Sequence, residues 1–136
     1  EIELKRDDRV LVLASGKVTT CPKCGSHSID QPPNKYLYMR IGENLNFIKF
    51  YGSQVGEGAY RDFNAQGSGE LQFIVRDWRT YPPPQGWYKD NSGSFVLDVF
   101  NYDPAQKAGF RQFLRAMLQI NSADIVFATQ ARSFLR

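Results

Sequence analysis

A chain of 136 residues with a net charge of +3, 42% hydrophobic and 23% charged residues has the make-up of one soluble globular domain, long enough to bury an ordinary core. The scattered, mild basicity argues against a nucleic-acid partner, and no apolar run approaches the roughly 18 residues a membrane span needs. The opening residues Glu1-Ile2-Glu3-Leu4-Lys5-Arg6 contain neither an initiating Met nor a signal-like apolar stretch, so the expectation is a removed leader or a module of a longer protein.

In chain order, residues 9–15 form a β-branched-rich apolar run ended by Gly16, which predicts a strand buried on both faces. A second short extended segment, Lys17-Val18-Thr19-Thr20, leads into Cys21-Pro22-Lys23-Cys24-Gly25-Ser26-His27, and Pro32-Pro33-Asn34 marks a loop. Leu37, Met39 and Ile41 then alternate with Tyr36, Tyr38 and Arg40, the period of a sheet with one face in a core. Residues 46–51 read as a strand across a turn at Gly42-Glu43-Asn44, while residues 52–69 read as a long, glycine-rich connection. Residues 70–76 and 94–101 alternate again, through Leu71, Phe73 and Val75 and through Phe95, Leu97 and Val99. Strands at this spacing with no helix between them predict a mainly β fold, an antiparallel β-sandwich spanning residues 1–102.

The pattern changes at Asp103-Pro104, an N-cap followed by Pro at the first helical position. Phe110, Phe113, Leu114, Met117 and Leu118 lie on one helical face. Residues 103–136 therefore read as an added C-terminal amphipathic helical extension, packed on the sandwich or linking to another domain or subunit. Residues 125–135 are ambiguous between a short strand and more helix.

The long stretch Asp77 to Phe95, set between the strand-like runs 70–76 and 94–101, holds the chemistry-bearing residues, as long loops in compact domains commonly do. Asp77 closes one run and Asp90-Asn91 opens the next, a set of oxygen ligands suited to a hard cation. Ordinary turn chemistry accounts for the same residue types. Trp78, Tyr81, Trp87 and Tyr88 serve equally to stack on a sugar ring or to pack on the end of the sandwich. Cys21 and Cys24, spaced CxxC before a Gly and with His27 nearby, fit a disulfide, free thiols, a redox pair, or half of a Zn²⁺ site whose fourth ligand is not evident. Nothing in the chain carries a nucleophile motif or a phosphate loop. Asp62 with Glu57 or Glu70 is singled out by no spacing as a glycosidase pair, so no enzymatic activity is expected.

The stretch Asp90-Asn91-Ser92-Gly93-Ser94-Phe95, entered after an Asp-ended strand, resembles the calcium-binding end of the bacterial galactophilic lectins, small calcium-dependent galactose-binding β-sandwiches. Residues 10–16 are similar to that family's first core strand, and Tyr38-Met39-Arg40-Ile41-Gly42 to a later one. The resemblance implies a galactose-binding-like sandwich holding Ca²⁺ through the side chains of Asp77, Asp90 and Asn91 and the backbone carbonyls of Trp87 and Thr20, with Asp90 standing where the family has Asn. It implies sugar contacts from His27 and Gln31, flanked here by Trp78 and Tyr88, although the loop carrying His27 and Gln31 is shorter than the family's. The Pro82-Pro83-Pro84 run departs from the family pattern and would stiffen the excursion.

The resulting expectation is a calcium-dependent galactoside-binding module, extracellular or on a cell surface, with carbohydrate or glycoconjugate as partner. Two readings from other classes stay open. One is an assembly domain that keeps the sandwich without sugar binding; the other is a zinc-stapled nucleic-acid-binding domain built on Cys21, Cys24 and His27.

Overall fold

The computed structural model describes residues 1–20, 23, 25–43, 46–76 and 92–136, with His27 described by its backbone alone. Among the described residues eight strands form two four-stranded antiparallel sheets, and helices follow at the C-terminal end. The strands are β1 (Glu3–Leu4), β2 (Arg9–Thr19), β3 (Leu37–Ile41), β4 (Ile48–Lys49), β5 (Ser53–Val55), β6 (Gly58–Asn64), β7 (Gly69–Val75) and β8 (Ser92–Tyr102). The first sheet has the order β1-β7-β3-β4 and the second β5-β6-β2-β8. The helices are α1 (Pro33–Tyr36), α2 (Lys107–Ile120) and α3 (Ile125–Leu135). This is the mainly β, antiparallel sandwich with a C-terminal helical segment that the alternation predicts.

The sheets face each other across a core drawn from both. Val10, Val12 and Ala14 of β2 and Ala59 and Phe63 of β6 meet Leu37, Met39 and Ile41 of β3 and Leu71 of β7. Leu11 and Leu13, on the other face of β2, pack with Leu114, Phe127 and Ala131 of the two long helices. That double burial explains why residues 9–15 read as a continuous apolar run rather than an alternating one. Burying an apolar side chain of this size contributes about 1.5–3 kcal/mol each, so the helices are part of what stabilises the central strand.

Gly16 does not end β2. It adopts φ 99° inside the strand, and its pairing with β8 continues through Thr19 opposite Ser92. A Cβ on Gly16 would lie 2.2 Å from the Ser94 carbonyl oxygen, and one on Gly93 (φ 86°) 2.2 Å from the Lys17 carbonyl oxygen. The two strands approach so closely here that neither position has room for a side chain.

The segment 52–69, expected to be a connection, holds the β5–β6 hairpin, and β6 pairs with β2 from Asn64 opposite Arg9 to Ala59 opposite Ala14. Its alternation is masked because Arg61 occupies an inward register position between Ala59 and Phe63. The strand expected over 46–51 shrinks to Ile48–Lys49; Phe50 is fully buried, and Tyr51 takes φ 49° and points outward. The Pro32-Pro33-Asn34 loop contains the single turn α1, tied down by Asn34, whose side chain donates to the Gly52 carbonyl at 2.7 Å and accepts from the Gly52 amide at 2.8 Å.

Asp103 caps the turn leading into α2 by accepting from the Ala105 amide, and Asp124 caps α3 by accepting from the Phe127 amide. The ambiguous stretch 125–135 is thus a second helix. Arg111 of α2 donates to the carbonyls of Phe134 and Leu135, joining the helices side to side. Tyr102, at the end of β8, stacks on Phe110 with ring centroids 4.1 Å apart. The Tyr102 hydroxyl donates to Asp62, which also receives both Nε and one Nη of Arg9 at 3.0 and 2.8 Å. The Asp62 hydrogen bonds hold the Arg9 guanidinium above its ordinary pKa, and burial raises the Tyr102 phenol.

Candidate functional site at one end of the sandwich

The two strands that flank residues 77–91 belong to different sheets, β7 to the first and β8 to the second. The excursion therefore crosses from sheet to sheet and is not a turn between neighbouring strands. Both of its ends nonetheless lie at the same end of the sandwich. The Arg76 amide, just past β7, donates to the Tyr36 carbonyl at 2.8 Å, and the Thr20 hydroxyl, just past β2, donates to the Tyr36 hydroxyl at 3.2 Å. Thr19 in turn pairs with Ser92, the first residue of β8. Tyr36 thus links the exit of one sheet to the entrance of the other.

The segment after β2 folds back along the same end. β6 accompanies β2 only as far as Ala14, and beyond it the free side of β2 is taken by Gln31, whose amide and carbonyl pair with the carbonyl and amide of Val18 at 2.7 and 3.0 Å. The Thr20 amide donates to the Ser28 carbonyl at 2.9 Å, and the Asp30 amide donates to the Thr19 hydroxyl at 3.0 Å. These bonds anchor the one-turn helix Ser26–Ser28, which carries His27, against the strand end.

Of the residues expected to hold an ion, Thr20 is described. It is buried, at 7% exposure, and among the described residues no donor reaches its carbonyl oxygen. Asp77, Asp90, Asn91 and the Trp87 carbonyl lie outside the described residues, as do Trp78, Tyr81, Tyr88, Cys21 and Cys24. Among the described residues no cluster of three His, Cys, Asp or Glu side chains is placed to hold a metal.

Gln31 has its side-chain nitrogen committed to the carbonyls of Ser26 and Ile29, at 2.8 and 2.7 Å, so it shapes the loop. Gly93, the glycine of the Asn-Ser-Gly-Ser stretch, serves strand pairing with Lys17 and Val18 inside β8. Tyr36 and Ser28, which sequence reasoning passed over, hold this end together. Tyr36 carries only the signal of an aromatic at the start of an alternating strand, which does not distinguish it from Tyr38. The acids considered as a hydrolytic pair stand on separate elements with partners of their own: Asp62 with Arg9, Glu57 with Lys17 at 3.5 Å, and Glu70 on β7 opposite Glu3 of β1. Among the described residues no helix is long and apolar enough to cross a membrane.

No protein-family model and no curated protein matches the chain. One solved structure, titled "EclA N-terminal domain; PllA-like lectin", is 24% identical over 74% of this chain and 82% of that one, with a TM-score of 0.46. A likeness of that degree carries neither a family nor a ligand for this chain, and the sandwich assignment stands on its own strand pairing.

Proposed function

We propose that the protein is a carbohydrate-binding module that takes galactose-type sugars through a calcium ion at the Tyr36 end of the sandwich. The observation that carries the reading is that Thr20, Gln31 and both ends of the 77–91 excursion meet at one end, tied by the Thr20–Tyr36 and Arg76–Tyr36 hydrogen bonds. In the motif Asp90-Asn91-Ser92-Gly93-Ser94-Phe95, similar to the galactophilic lectins, Ser92 opens β8 and pairs with Thr19 at that same end.

Calcium, when bound, supplies open coordination positions for vicinal sugar hydroxyls and discriminates among sugars by their hydroxyl geometry. Asp77, Asp90 and Asn91 are the side chains that would hold it, with the carbonyls of Thr20 and Trp87. His27, Gln31, Trp78 and Tyr88 would meet the sugar beside it. Cys21 and Cys24 adjoin Thr20 in sequence, and a disulfide or zinc between them would stiffen the same segment. Such a module acts on glycoconjugates outside the cell or at its surface.

Calorimetry with methyl galactosides, run with calcium and then with chelator, tests the reading. Saturable binding that disappears with chelator and in Asp77→Asn and Asp90→Ala is the expected result. Binding indifferent to chelator would overturn the calcium site, and no sugar binding would overturn the function. Elemental analysis of the purified protein separates calcium from zinc.

A further inference from the structure

Away from that end, a cleft of about 370 Å³ opens between the sheets where β4 faces the second half of β6. β5 covers β6 only from Gly58 to Tyr60, leaving this part of the sandwich edge uncovered. Met39, Ile41 and Phe63 form the floor at 4%, 8% and 9% exposure, and Ile48, 49% exposed, forms the outer wall. Arg61 reaches into this apolar space from an inward register position where the neighbours Ala59 and Phe63 are core residues.

The Arg61 guanidinium lies over the Phe63 ring at 5.2 Å and donates through one Nη to the Phe50 carbonyl at 3.2 Å. Among the described residues it has no carboxylate partner. Asp62 is taken by Arg9, and Glu57 by Lys17. A guanidinium has five N–H donors, and beyond the one on the Phe50 carbonyl this partly buried cation has donors left for a counter-ion. Burial correspondingly lowers the Arg61 pKa.

We propose that this cleft binds a small amphiphilic carboxylate, such as a medium-chain fatty acid, with its apolar body between Met39, Ile41, Ile48 and Phe63 and its carboxylate paired with Arg61. The volume lies within the roughly 300–1,000 Å³ of small-molecule sites, and the planar guanidinium matches a carboxylate by two parallel hydrogen bonds. The proposal is independent of residues 77–91 and of sugar binding.

Titrating the full chain with octanoate, decanoate and the neutral octanol by calorimetry tests it. The carboxylates are expected to bind one per chain, octanol at least tenfold more weakly than octanoate. Arg61→Gln is expected to weaken octanoate at least tenfold, because it removes the cation that pairs with the carboxylate. Ile48→Ala, at a half-exposed position, is expected to weaken decanoate severalfold. Equal binding of octanol and octanoate, unchanged affinity in Arg61→Gln, or no binding at millimolar ligand would each overturn the proposal. If Arg61→Gln does not fold, the comparison of acid and alcohol on the unaltered chain still decides.

Discussion

The Thr20 hydroxyl donates to the hydroxyl of Tyr36 at 3.2 Å, joining the end of β2 in one sheet to the end of α1, which leads directly into β3 of the other. Because the Arg76 amide bonds to the carbonyl of the same tyrosine, one residue sets the spacing between the two stems of the 77–91 excursion.

Tyr36→Phe removes one partly buried hydrogen bond and should cost about 0.5–1.5 kcal/mol in urea unfolding. It should also weaken calcium binding severalfold, since the stems lose their spacer. Thr20→Val removes the same hydrogen bond and should match Tyr36→Phe in both stability and calcium affinity. Calcium titration and urea unfolding of the two variants check the match.

Gly16→Ala and Gly93→Ala should each destabilise by more than about 2 kcal/mol, because both glycines hold positive φ and face a carbonyl oxygen across the ladder. Denaturant midpoints measure this. In Gly93→Ala, any loss of sugar binding should follow the loss of structure at the start of β8.

Gln130 of α3 is 1% exposed and donates to the Ala14 carbonyl at 2.8 Å, which fastens the last helix to the central strand. A Cβ on Gly58 would lie 1.4 Å from the Gln130 side-chain nitrogen. Gly58→Ala should therefore cost several kcal/mol, on the order of the 2–4 expected for severe core overpacking. The double variant with Gln130→Ala should be less destabilised than the sum of the single variants, with a coupling of about 1 kcal/mol or more in a double-mutant cycle.

Burial and the nearby Asp124 charge raise the Asp98 carboxyl above its ordinary value of 3.8. The folded state thus favours the protonated form. That contribution is complete below 3.8 and is lost as pH rises through the folded value. Asp98→Asn should accordingly raise the melting temperature slightly at neutral pH, since the residue is largely exposed, and the gain should vanish below the ordinary carboxylate pKa. Thermal melts across pH check the sign.

Much of the fold is legible locally. Leu37, Met39 and Ile41, and Leu71, Phe73 and Val75, alternate because one face of their sheet meets the core, and they form strands in the expected places. Asp103-Pro104 and the stripe through Phe110, Leu114 and Met117 start a helix where the caps say they should. β6 was not legible, because Arg61 at an inward position and Asp62 at an outward one break the apolar period that marks a strand. Nor was the helical state of residues 125–135, which depends on Phe127 and Ala131 finding Leu11 and Leu13 and on Gln130 finding Ala14.

By itself the sequence determined the periods, caps and turns, since these depend on neighbours a few residues apart, and it offered Asp77, Asp90 and Asn91 as candidate oxygen ligands through a family resemblance. Only the tertiary structure decided that β7 and β8 lie in different sheets, that Tyr36 brings Thr20 and Arg76 to one end, and that Arg61 faces an apolar cleft. Those facts rest on pairings between residues far apart in the chain, such as Arg9 with Asn64 and with Tyr102, for which no local pattern provides the register.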